Sequence, residues 1–326
     1  MTVRFCIARS LSVTNSYINV NYINMWQLLN LVFCQNFMLD TLDKLVALLD
    51  LETLGPGQYQ GNSFDIGTGR VYGGQVLGQA LKAAQMTVSG GKSIHSLHAY
   101  FLREGNFNLP IEYRVDITRN GKSFSTRTVT ALQRDNPIFI TITSFQITET
   151  GLEYQQPMPD VPTPDTLTDL RELAASGASG PPDRFESLLR LTTPFDIKPI
   201  SNRYTGNVPD NKVPRLDAWI RTTHQLPDDM DLHRAILAYI SDYGLVRTSL
   251  LPHRTWLENP ALQLASLDHG MWFHRPFRMD EWLLYSCEPV TTGSARGLAR
   301  GSFYNLAGQL VATTMQEGLL RLLKKT

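Results

Sequence analysis

Cysteine is scarce in this sequence of 326 residues, which contains only Cys6, Cys34 and Cys287. The three residues form no close pair and show no spacing of the kind that binds a metal ion. Neither a disulfide framework nor a cysteine-ligated metal centre is therefore expected. Few and scattered thiols are typical of a reducing compartment, and we predict a cytoplasmic location.

Net charge is also lacking, because 30 lysine and arginine residues balance 30 aspartate and glutamate residues. Such a chain is not expected to bind nucleic acid or an anionic membrane through bulk electrostatics, although a local basic patch could hold a phosphorylated ligand. The apolar stretch at residues 25–37 is too short and too polar to span a bilayer. We therefore predict no nucleic-acid partner and no insertion into a membrane.

Acidic residues are absent from residues 1–37, and the first one is Asp40. This N-terminal extension carries Arg4 and Arg9 and faintly resembles a transit peptide, but it has no apolar core followed by a small-residue cleavage site. We favour the interpretation that it comes from an upstream start codon or is disordered. A chain that begins at Met38 is expected to fold and to keep full activity.

Two common active-site signatures are missing. No Gly-x-Ser-x-Gly sequence occurs, which argues against an α/β-hydrolase, and the glycines of residues 67–73 lack the spacing of a dinucleotide-binding loop. Two near pairs of histidines are present, His95 with His98 and His269 with His274. Since side chains alternate along a strand, the members of each pair are expected on opposite faces. We therefore predict no metal site.

A long internal repeat is present. In each half an amphipathic helix precedes four strand-like segments. The Phe-x-Arg ends of the first strands, at Arg103 and Arg275, lie 172 residues apart, and the Ser/Thr-x-Gln ends of the last strands, at Gln146 and Gln316, lie 170 apart. A register kept over such a distance indicates a duplicated unit. The pattern predicts a sheet wrapped round a long helix, made twice.

Composition between the repeats suggests the domain boundaries. Residues 154–182 are rich in proline and show little periodicity, which is typical of a linker on the surface. We predict an N-terminal domain over residues 38–150, a linker over residues 151–190 and a C-terminal domain over residues 191–326.

Asp242 is the candidate general base. It lies in the last turn of the second predicted helix, at the edge of the apolar stripe, where it cannot cap the helix N-terminus and where the helix dipole disfavours an anion. A partly buried carboxylate also costs free energy unless it is hydrogen-bonded. An ordinary helix-edge aspartate that reaches water or an arginine would explain the position as well.

Ser266 and Gln316 are polar residues on strand faces whose other members are apolar or small. A satisfied polar group in the core would explain either residue alone. Together with Asp242 they supply one acid–base group and two hydrogen-bonding groups, which is the minimum set for holding and activating a water molecule.

Gly73 and Gly74 stand at the start of the first repeated helix. Glycines there leave backbone amides open to a carbonyl oxygen or an oxyanion, but close packing of the helix would explain them equally well. With the following Gln75 they are the candidate substrate-binding residues.

Taken together, these segments resemble the acyl-CoA thioesterase II family (TesB-like) over about residues 40–322. The motifs that carry the resemblance are Val71-Tyr-Gly-Gly-Gln-Val-Leu-Gly-Gln-Ala80, His95-Ser-Leu-His-Ala-Tyr-Phe-Leu-Arg103, Gly121-Lys-Ser-Phe-Ser-Thr-Arg127, Leu267-Asp-His-Gly-Met-Trp-Phe-His-Arg-Pro-Phe277 and Gln316-Glu-Gly318.

The resemblance implies a double hot-dog fold of the α+β class, in which two helix-in-sheet units in one chain form an intramolecular pseudo-dimer. It also implies that an Asp on the second central helix, a Thr or Ser on the following strand and a Gln on the last strand orient the attacking water. By motif these are Asp242, Ser266 and Gln316. The middle position is often Thr in the family, so Ser266 keeps the hydroxyl and loses the methyl group.

The implied activity is hydrolysis of fatty acyl-CoA to free fatty acid and coenzyme A by direct attack of water. Asp242 would accept a proton from water, and backbone amides at a helix start would polarise the thioester carbonyl. No metal or redox cofactor is expected, because coenzyme A belongs to the substrate. Ser266 is disfavoured as a covalent nucleophile, since His269 is expected on the opposite strand face.

Two other functions stay open at this point. A hot-dog protein could bind acyl-CoA without turning it over, and loss of any member of the trio would favour that function. A hot-dog enoyl-CoA hydratase would need a paired Asp and His, and Asp268 with His269 is the only adjacent pair. A homo-oligomer is compatible with the sequence, which leaves acyl-chain length and pathway undetermined.

Overall fold

A computed structural model gives the structure of the protein and describes residues 41–67, 69–176, 193–200, 214–253, 259 and 261–323. All described residues belong to one compact unit, Met38–Thr326, which contains both repeats. The predicted N-terminal extension lies outside the described residues.

The N-terminal half begins with a short helix and a hairpin, followed by the first long helix and four strands. Its described elements are α1 (Leu42–Leu49), β1 (Glu52–Gly55), β2 (Gln58–Gly61), α2 (Gly73–Gln85), β3 (Ser93–Phe101), β4 (Ile111–Asn120), β5 (Phe124–Gln133) and β6 (Asn136–Gln146).

The C-terminal half repeats this plan. Between the halves lie a 3₁₀ turn at Pro164–Thr166 and a short helix, α3 (Leu170–Ala175). The described elements that follow are β7 (Phe195–Pro199), β8 (Leu216–Thr222), α4 (Met230–Ser241), α5 (Leu245–Thr248), β9 (Leu262–Ser266), β10 (Asp268–Phe273), β11 (Leu283–Gly293), β12 (Arg296–Asn305) and β13 (Leu310–Leu322).

The two halves share one continuous antiparallel sheet. Its strand order is β1-β2-β4-β5-β6-β3-β10-β13-β12-β11-β8-β7, and β9 pairs with β13 beside β10. The halves meet where β3 pairs with β10, with Tyr100 opposite Asp268 and Ser96 opposite Trp272. Each half thereby covers a strand edge of the other, an edge that would otherwise be open to pairing with other chains.

Helices α2 and α4 cross closely, and two glycines permit the approach. A Cβ atom added to Gly74 would lie 2.1 Å from the backbone oxygen of Tyr239, and one added to Gly78 would lie 3.0 Å from that of Ala235. Because Gly74 faces Tyr239 and Gly78 faces Ala235, the helices run antiparallel. The C-terminal end of α4 therefore meets the N-terminal end of α2.

This architecture is the predicted double hot-dog fold. Helix α2 packs against β3, β4, β5 and β6 of its own half and against α4. Most side chains of α4 are buried, so the helix is enclosed on more sides than a single apolar stripe predicts. Asp229 caps the start of α4, because its carboxylate accepts the backbone N–H groups of Asp231 and Leu232.

One predicted strand is divided in two. The sequence predicts the first strand-like segment of the second repeat over residues 262–274. This segment forms β9 and β10, which are separated at Leu267. The backbone N–H of Leu267 donates to Glu317, and its carbonyl oxygen accepts from Phe101. The chain thus passes at Leu267 from pairing with one strand to lying between two. None of the helices in the described part of the chain is long and apolar enough to cross a membrane.

Candidate active site

Asp242 lies at the meeting point of the two halves, directly after the last residue of α4. Its Oδ1 atom accepts a hydrogen bond of 2.5 Å from Nε2 of Gln316 on β13. The backbone N–H of Gly74, at the start of α2, and the hydroxyl of Ser266, at the end of β9, also donate to this carboxylate. The structure therefore brings all three residues of the predicted trio together, with one donor from the other half.

Gln316 approaches Asp242 with one end of its amide and leaves the other end unused. The side chain is fully buried, and its Oε1 atom has no hydrogen-bond partner among the described residues. An unpaired buried acceptor is unusual in a folded protein. Here it is part of the same amide that holds the carboxylate, so a water molecule near Asp242 could donate to it.

Burial raises the pKa of Asp242 above its ordinary value, and the bonds from Gln316, Gly74 and Ser266 oppose that rise. The residue as a whole keeps some accessible surface, although protein atoms closely surround the carboxylate. Desolvation disfavours the charged form of a carboxylate, whereas donors to that form favour it. The result is a carboxylate that is more basic than an exposed one, as a general base requires.

Two tyrosines lie near this carboxylate, and their hydroxyls donate to backbone carbonyl oxygens. The pKa of the Tyr72 phenol and that of the Tyr285 phenol are raised by burial and further by the nearby charge of Asp242. Tyr72 donates to the carbonyl oxygen of Tyr239 at 3.1 Å, and Tyr285 donates to that of Ser241 at 2.6 Å. Both phenols therefore hold the last turn of α4, next to Asp242.

Gly73 and Gly74 contact the carboxylate itself. A Cβ atom at Gly73 would lie 2.8 Å from Oδ2 of Asp242, and the Gly74 N–H is already bonded to that carboxylate. The amide of Gly74 was expected to face a substrate oxygen, and the structure gives it to the candidate base instead. The positive end of the α2 dipole lies beside the anion, which stabilises it.

Gln75 has different contacts from its two neighbours. Its Nε2 donates to the carbonyl oxygen of Asn62 at 3.1 Å, and its Oε1 accepts the N–H of Phe64 at 3.3 Å. The side chain is 1% exposed. These bonds fix the loop that leads into α2, and a direct contact between Gln75 and substrate remains a prediction.

The expected orientation of His95 and His98 was wrong. Ile94 and Leu97 are both buried, because a bulge interrupts the pairing of β3 with β6 between residues 94 and 96. The bulge places both histidines on the outer face of the sheet. His95 lies 2.8 Å from the hydroxyl of Ser144, and His98 makes an edge contact with Trp272.

His269 was expected on the strand face opposite Ser266, and this expectation was also wrong. The break at Leu267 changes the alternation, so Ser266 bonds to Asp242 and His269 bonds to the adjacent Ser241. Both side chains thus point to the end of α4. Burial lowers the pKa of His269 to about 3, and its Nε2 atom is occupied by Ser241 and Thr314. A base so weak and so occupied is unsuited to activating Ser266.

Other reactive groups lie apart from this constellation. Asp268 accepts the N–H of Glu317 at 2.7 Å and shares no partner with His269. Cys287 is buried, and burial raises the pKa of its thiol, which disfavours the nucleophilic thiolate. Within the described ranges, no group of three or more His, Cys, Asp or Glu residues could hold a metal ion.

Tyr72, Tyr285 and His269 are neighbours of the site that were not predicted from the sequence. Tyr72 directly precedes the paired glycines, and His269 directly follows Asp268 in a recognised motif. A polar residue on an inward strand face is a signal for His269, but the face itself was misjudged. Tyr285 carries no local signal, because only the tertiary fold brings it to α4.

Sequence comparisons show which protein family this chain resembles. A family profile described as acyl-CoA thioesterase matches residues 191–319, and one described as acyl-CoA thioesterase N-terminal domain matches residues 62–146. Acyl-CoA thioesterase 2 of Haemophilus influenzae is 37% identical over 287 residues, covering 87% of this chain and 99% of the relative. Acyl-coenzyme A thioesterase 8 of Homo sapiens is 38% identical over 285 residues, covering 85% and 88%.

Solved structures show the same architecture. The crystal structure of acyl-CoA thioesterase II TesB2 from Mycobacterium marinum is 37% identical, has a TM-score of 0.71 and covers 85% of this chain and 98% of that one. A hot-dog protein of unknown function from Alicyclobacillus acidocaldarius is 18% identical with a TM-score of 0.67, covering 85% and 98%, and so supports the fold alone. The chain belongs to the acyl-CoA thioesterase II family.

Proposed function

We propose that this protein is a thioester hydrolase that cleaves fatty acyl-CoA into free fatty acid and coenzyme A by direct attack of water. The relatives named as acyl-CoA thioesterases supply the substrate class. The observation that carries the mechanism is the bond between Asp242 and Gln316, whose second amide atom has no partner among the described residues.

Asp242 acts as the general base. Its carboxylate takes a proton from water as the oxygen attacks the thioester carbon, and burial makes that carboxylate a better proton acceptor. Gln316 accepts a hydrogen bond from the same water at Oε1, while Ser266 and Gly74 hold the carboxylate in place. Oriented donors and acceptors of this kind avoid the entropic cost of positioning the reactants during the reaction.

The developing negative charge on the thioester oxygen needs a donor. The backbone N–H of Gly74 already donates to Asp242. We therefore assign this role to the adjacent N–H of Gly73, at the first position of α2. The helix N-terminus and the short distance between Gly73 and Asp242 support the assignment. An amide placed there would stabilise the oxyanion as a backbone oxyanion hole does.

No cofactor is needed for this chemistry, since coenzyme A enters and leaves as part of the substrate. Scarce and scattered cysteines support a reducing compartment, and we retain the cytoplasm as the proposed location.

Hydrolysis is tested with a chain-length series of acyl-CoA substrates and detection of the free thiol. Asp242→Asn should lower kcat by about 10²–10⁴-fold with KM little changed, because the substrate still binds but water is not deprotonated. Asp268→Asn is the matched control, since an amide oxygen can still accept the Glu317 N–H. A near-normal kcat for Asp242→Asn, or a trapped acyl-enzyme on Ser266, would contradict the mechanism.

A wild-type protein that binds acyl-CoA and releases no thiol with any chain length would instead identify a binding protein. The hydratase alternative predicts consumption of enoyl-CoA without thiol release. Asp268 and His269 bond to different partners, so they do not form the acid–base pair that a hydratase needs.

A further inference from the structure

His269 is a buried side chain next to the site to which the proposed mechanism gives no role. It is fully buried between β3 and β13 beneath the end of α4. Its Nε2 atom lies 3.0 Å from the hydroxyl of Ser241 and 2.8 Å from that of Thr314. Its Nδ1 atom has no partner among the described residues.

The hydrogen-bond network of the two hydroxyls favours a proton on Nε2 of the ring. Ser241 can donate to the carbonyl oxygen of Ala238 at 2.9 Å, and Thr314 can donate to that of Gly270 at 3.0 Å. If both do so, both oxygens accept from an Nε2–H. The other tautomer would leave an Nδ1–H donor buried without a partner, and orphaned donors are rarer than orphaned acceptors.

The position of these hydroxyls makes the ring a bridge. Ser241 directly precedes Asp242 on α4, and Thr314 lies two residues before Gln316 on the same face of β13. Two connections therefore join the helix end to the strand, namely the direct Asp242–Gln316 bond and the indirect Ser241–His269–Thr314 link. With both connections in place, neither Asp242 nor Gln316 can rotate or shift independently of the other.

We propose that His269, as the neutral Nε2–H tautomer, is a positioning residue that sets the separation and orientation of Asp242 and Gln316. This inference rests on the proposed function, because its kinetic consequence needs the hydrolytic reaction. His269 itself exchanges no proton with substrate. Burial keeps the His269 ring neutral near neutral pH, so the bridge does not change with pH there.

The first test compares His269→Leu with His269→Gln. Leucine fills similar space without a hydrogen bond, whereas the amide nitrogen of glutamine can take the place of Nε2. We expect His269→Leu to lower kcat about 10- to 100-fold, as small misplacements of reacting groups do, with KM little changed. His269→Gln should restore most of kcat. Equal losses in both variants would show that shape alone matters and would overturn the proposal.

The pH profile separates positioning from general stability. If the bridge is lost, Gln316 holds Asp242 less well, the pKa of Asp242 rises further, and the acid limb of kcat/KM moves to higher pH. The titratable side chains that face Asp242 are the phenols of Tyr72 and Tyr285, which stay protonated there. An unmoved limb in an active His269→Leu variant would contradict the proposal.

His233→Leu is the matched control, since His233 is also fully buried in α4 but at its other end. It should lower stability and leave the acid limb in place. If His269→Leu does not fold, Thr314→Val removes one hydroxyl at nearly constant shape and should shift the limb in the same direction. No shift there would count against the bridge.

The tautomer can be read without activity. In the folded protein with ¹⁵N-labelled histidine, the imidazole shifts of His269 should show a protonated Nε2 and an unprotonated Nδ1. A protonated Nδ1 would overturn the proposal even if the enzyme is active. Absence of acyl-CoA hydrolysis by the wild-type protein would instead reject the proposed function and leave this result standing.

Discussion

At the scale of single residues, the site depends on a carboxylate placed where it is disfavoured. Asp242 follows a helix whose dipole opposes an anion, and burial raises its pKa. Three donors from three different elements compensate, and one of them, Nε2 of Gln316, lies 2.5 Å from the carboxylate. This balance between desolvation and hydrogen bonding suits Asp242 to the proposed role of general base.

The raised pKa of Asp242 predicts the pH dependence of activity. Only the ionised carboxylate can accept a proton, so kcat/KM should fall as pH drops through that pKa. Because burial raises the pKa above the ordinary aspartate value of 3.8, the fall should occur at higher pH than for an exposed aspartate. A profile of kcat/KM against pH measures it, and Asp242→Asn should lack the limb. A wild-type profile flat down to pH 4 would contradict this assignment.

Shared action on one water predicts non-additive losses. Gln316→Ala should lower kcat, and Asp242→Asn combined with Gln316→Ala should lose less than the product of the two single effects. Ser266→Thr should keep activity, because the donor to Asp242 remains, and Ser266→Ala should lose part of it. Steady-state kinetics of the variants and the double mutant test this, and fully multiplicative losses would show that the residues act independently.

At the scale of secondary-structure elements, the site exists because α2 and α4 approach more closely than side chains allow. The backbone of Gly74 lies against the carbonyl oxygen of Tyr239. That approach delivers the N–H of one half to the carboxylate of the other. The helix crossing is thus itself part of the geometry of the candidate site.

Gly74→Ala tests the crossing. The added methyl group would lie 2.1 Å from a backbone oxygen, so the helices must separate and the N–H must leave Asp242. We expect about 1–3 kcal/mol of lost stability, as overpacking typically causes, and a lower kcat. Thermal melts and steady-state kinetics measure both. Gly55→Ala, whose methyl group would meet its nearest neighbour at 3.9 Å, is the control, and an equally active Gly74→Ala would show that the contact is unimportant.

The sequence predicted these elements well and their local irregularities poorly. The repeated register located the two helices, and polar residues among apolar neighbours pointed to Ser266 and Gln316. The bulge beside His95 and the break at Leu267 were not predicted, because strict alternation of side chains assumes an uninterrupted strand. The partner of Gly74 could not be predicted either, since it comes from the other half of the chain and depends on tertiary packing.

At the scale of the whole molecule, the pairing of β3 with β10 joins the halves into one sheet. The residues of the trio lie in the C-terminal half, yet their surroundings include Gly73, Gly74 and Tyr72 from the N-terminal half. Neither half contains a complete site. The domain boundaries predicted from composition therefore separate the two repeated folding units, whereas the candidate site needs both units.

Residues 191–326 expressed alone should be aggregation-prone and inactive. Without the N-terminal half, the edge of β10 that pairs with β3 is exposed, α4 loses its contact with α2, and Asp242 loses the Gly74 donor. Size-exclusion chromatography and the thiol assay test this. Coexpression with residues 38–150 should recover soluble, active protein, whereas a monodisperse and active C-terminal half would contradict the expectation.

The antiparallel crossing of α2 and α4 has two ends, and the position that Asp242 occupies at one end is occupied by Gln85 at the other. Gln85 stands twelve residues after the first residue of α2, as Asp242 does after the first residue of α4, and its amide donates to the carbonyl oxygen of Asp231 at 3.3 Å. An amide cannot accept a proton from water at neutral pH, so we expect Gln85 to hold the helices together and not to act as a second general base. Calorimetric titration with a non-hydrolysable thioether analogue of acyl-CoA should saturate at one equivalent per chain, and two equivalents would disprove this. The repeated unit is present twice, but we expect only one active site. Substitutions around Gln85 should therefore change the stability of the protein while kcat stays the same.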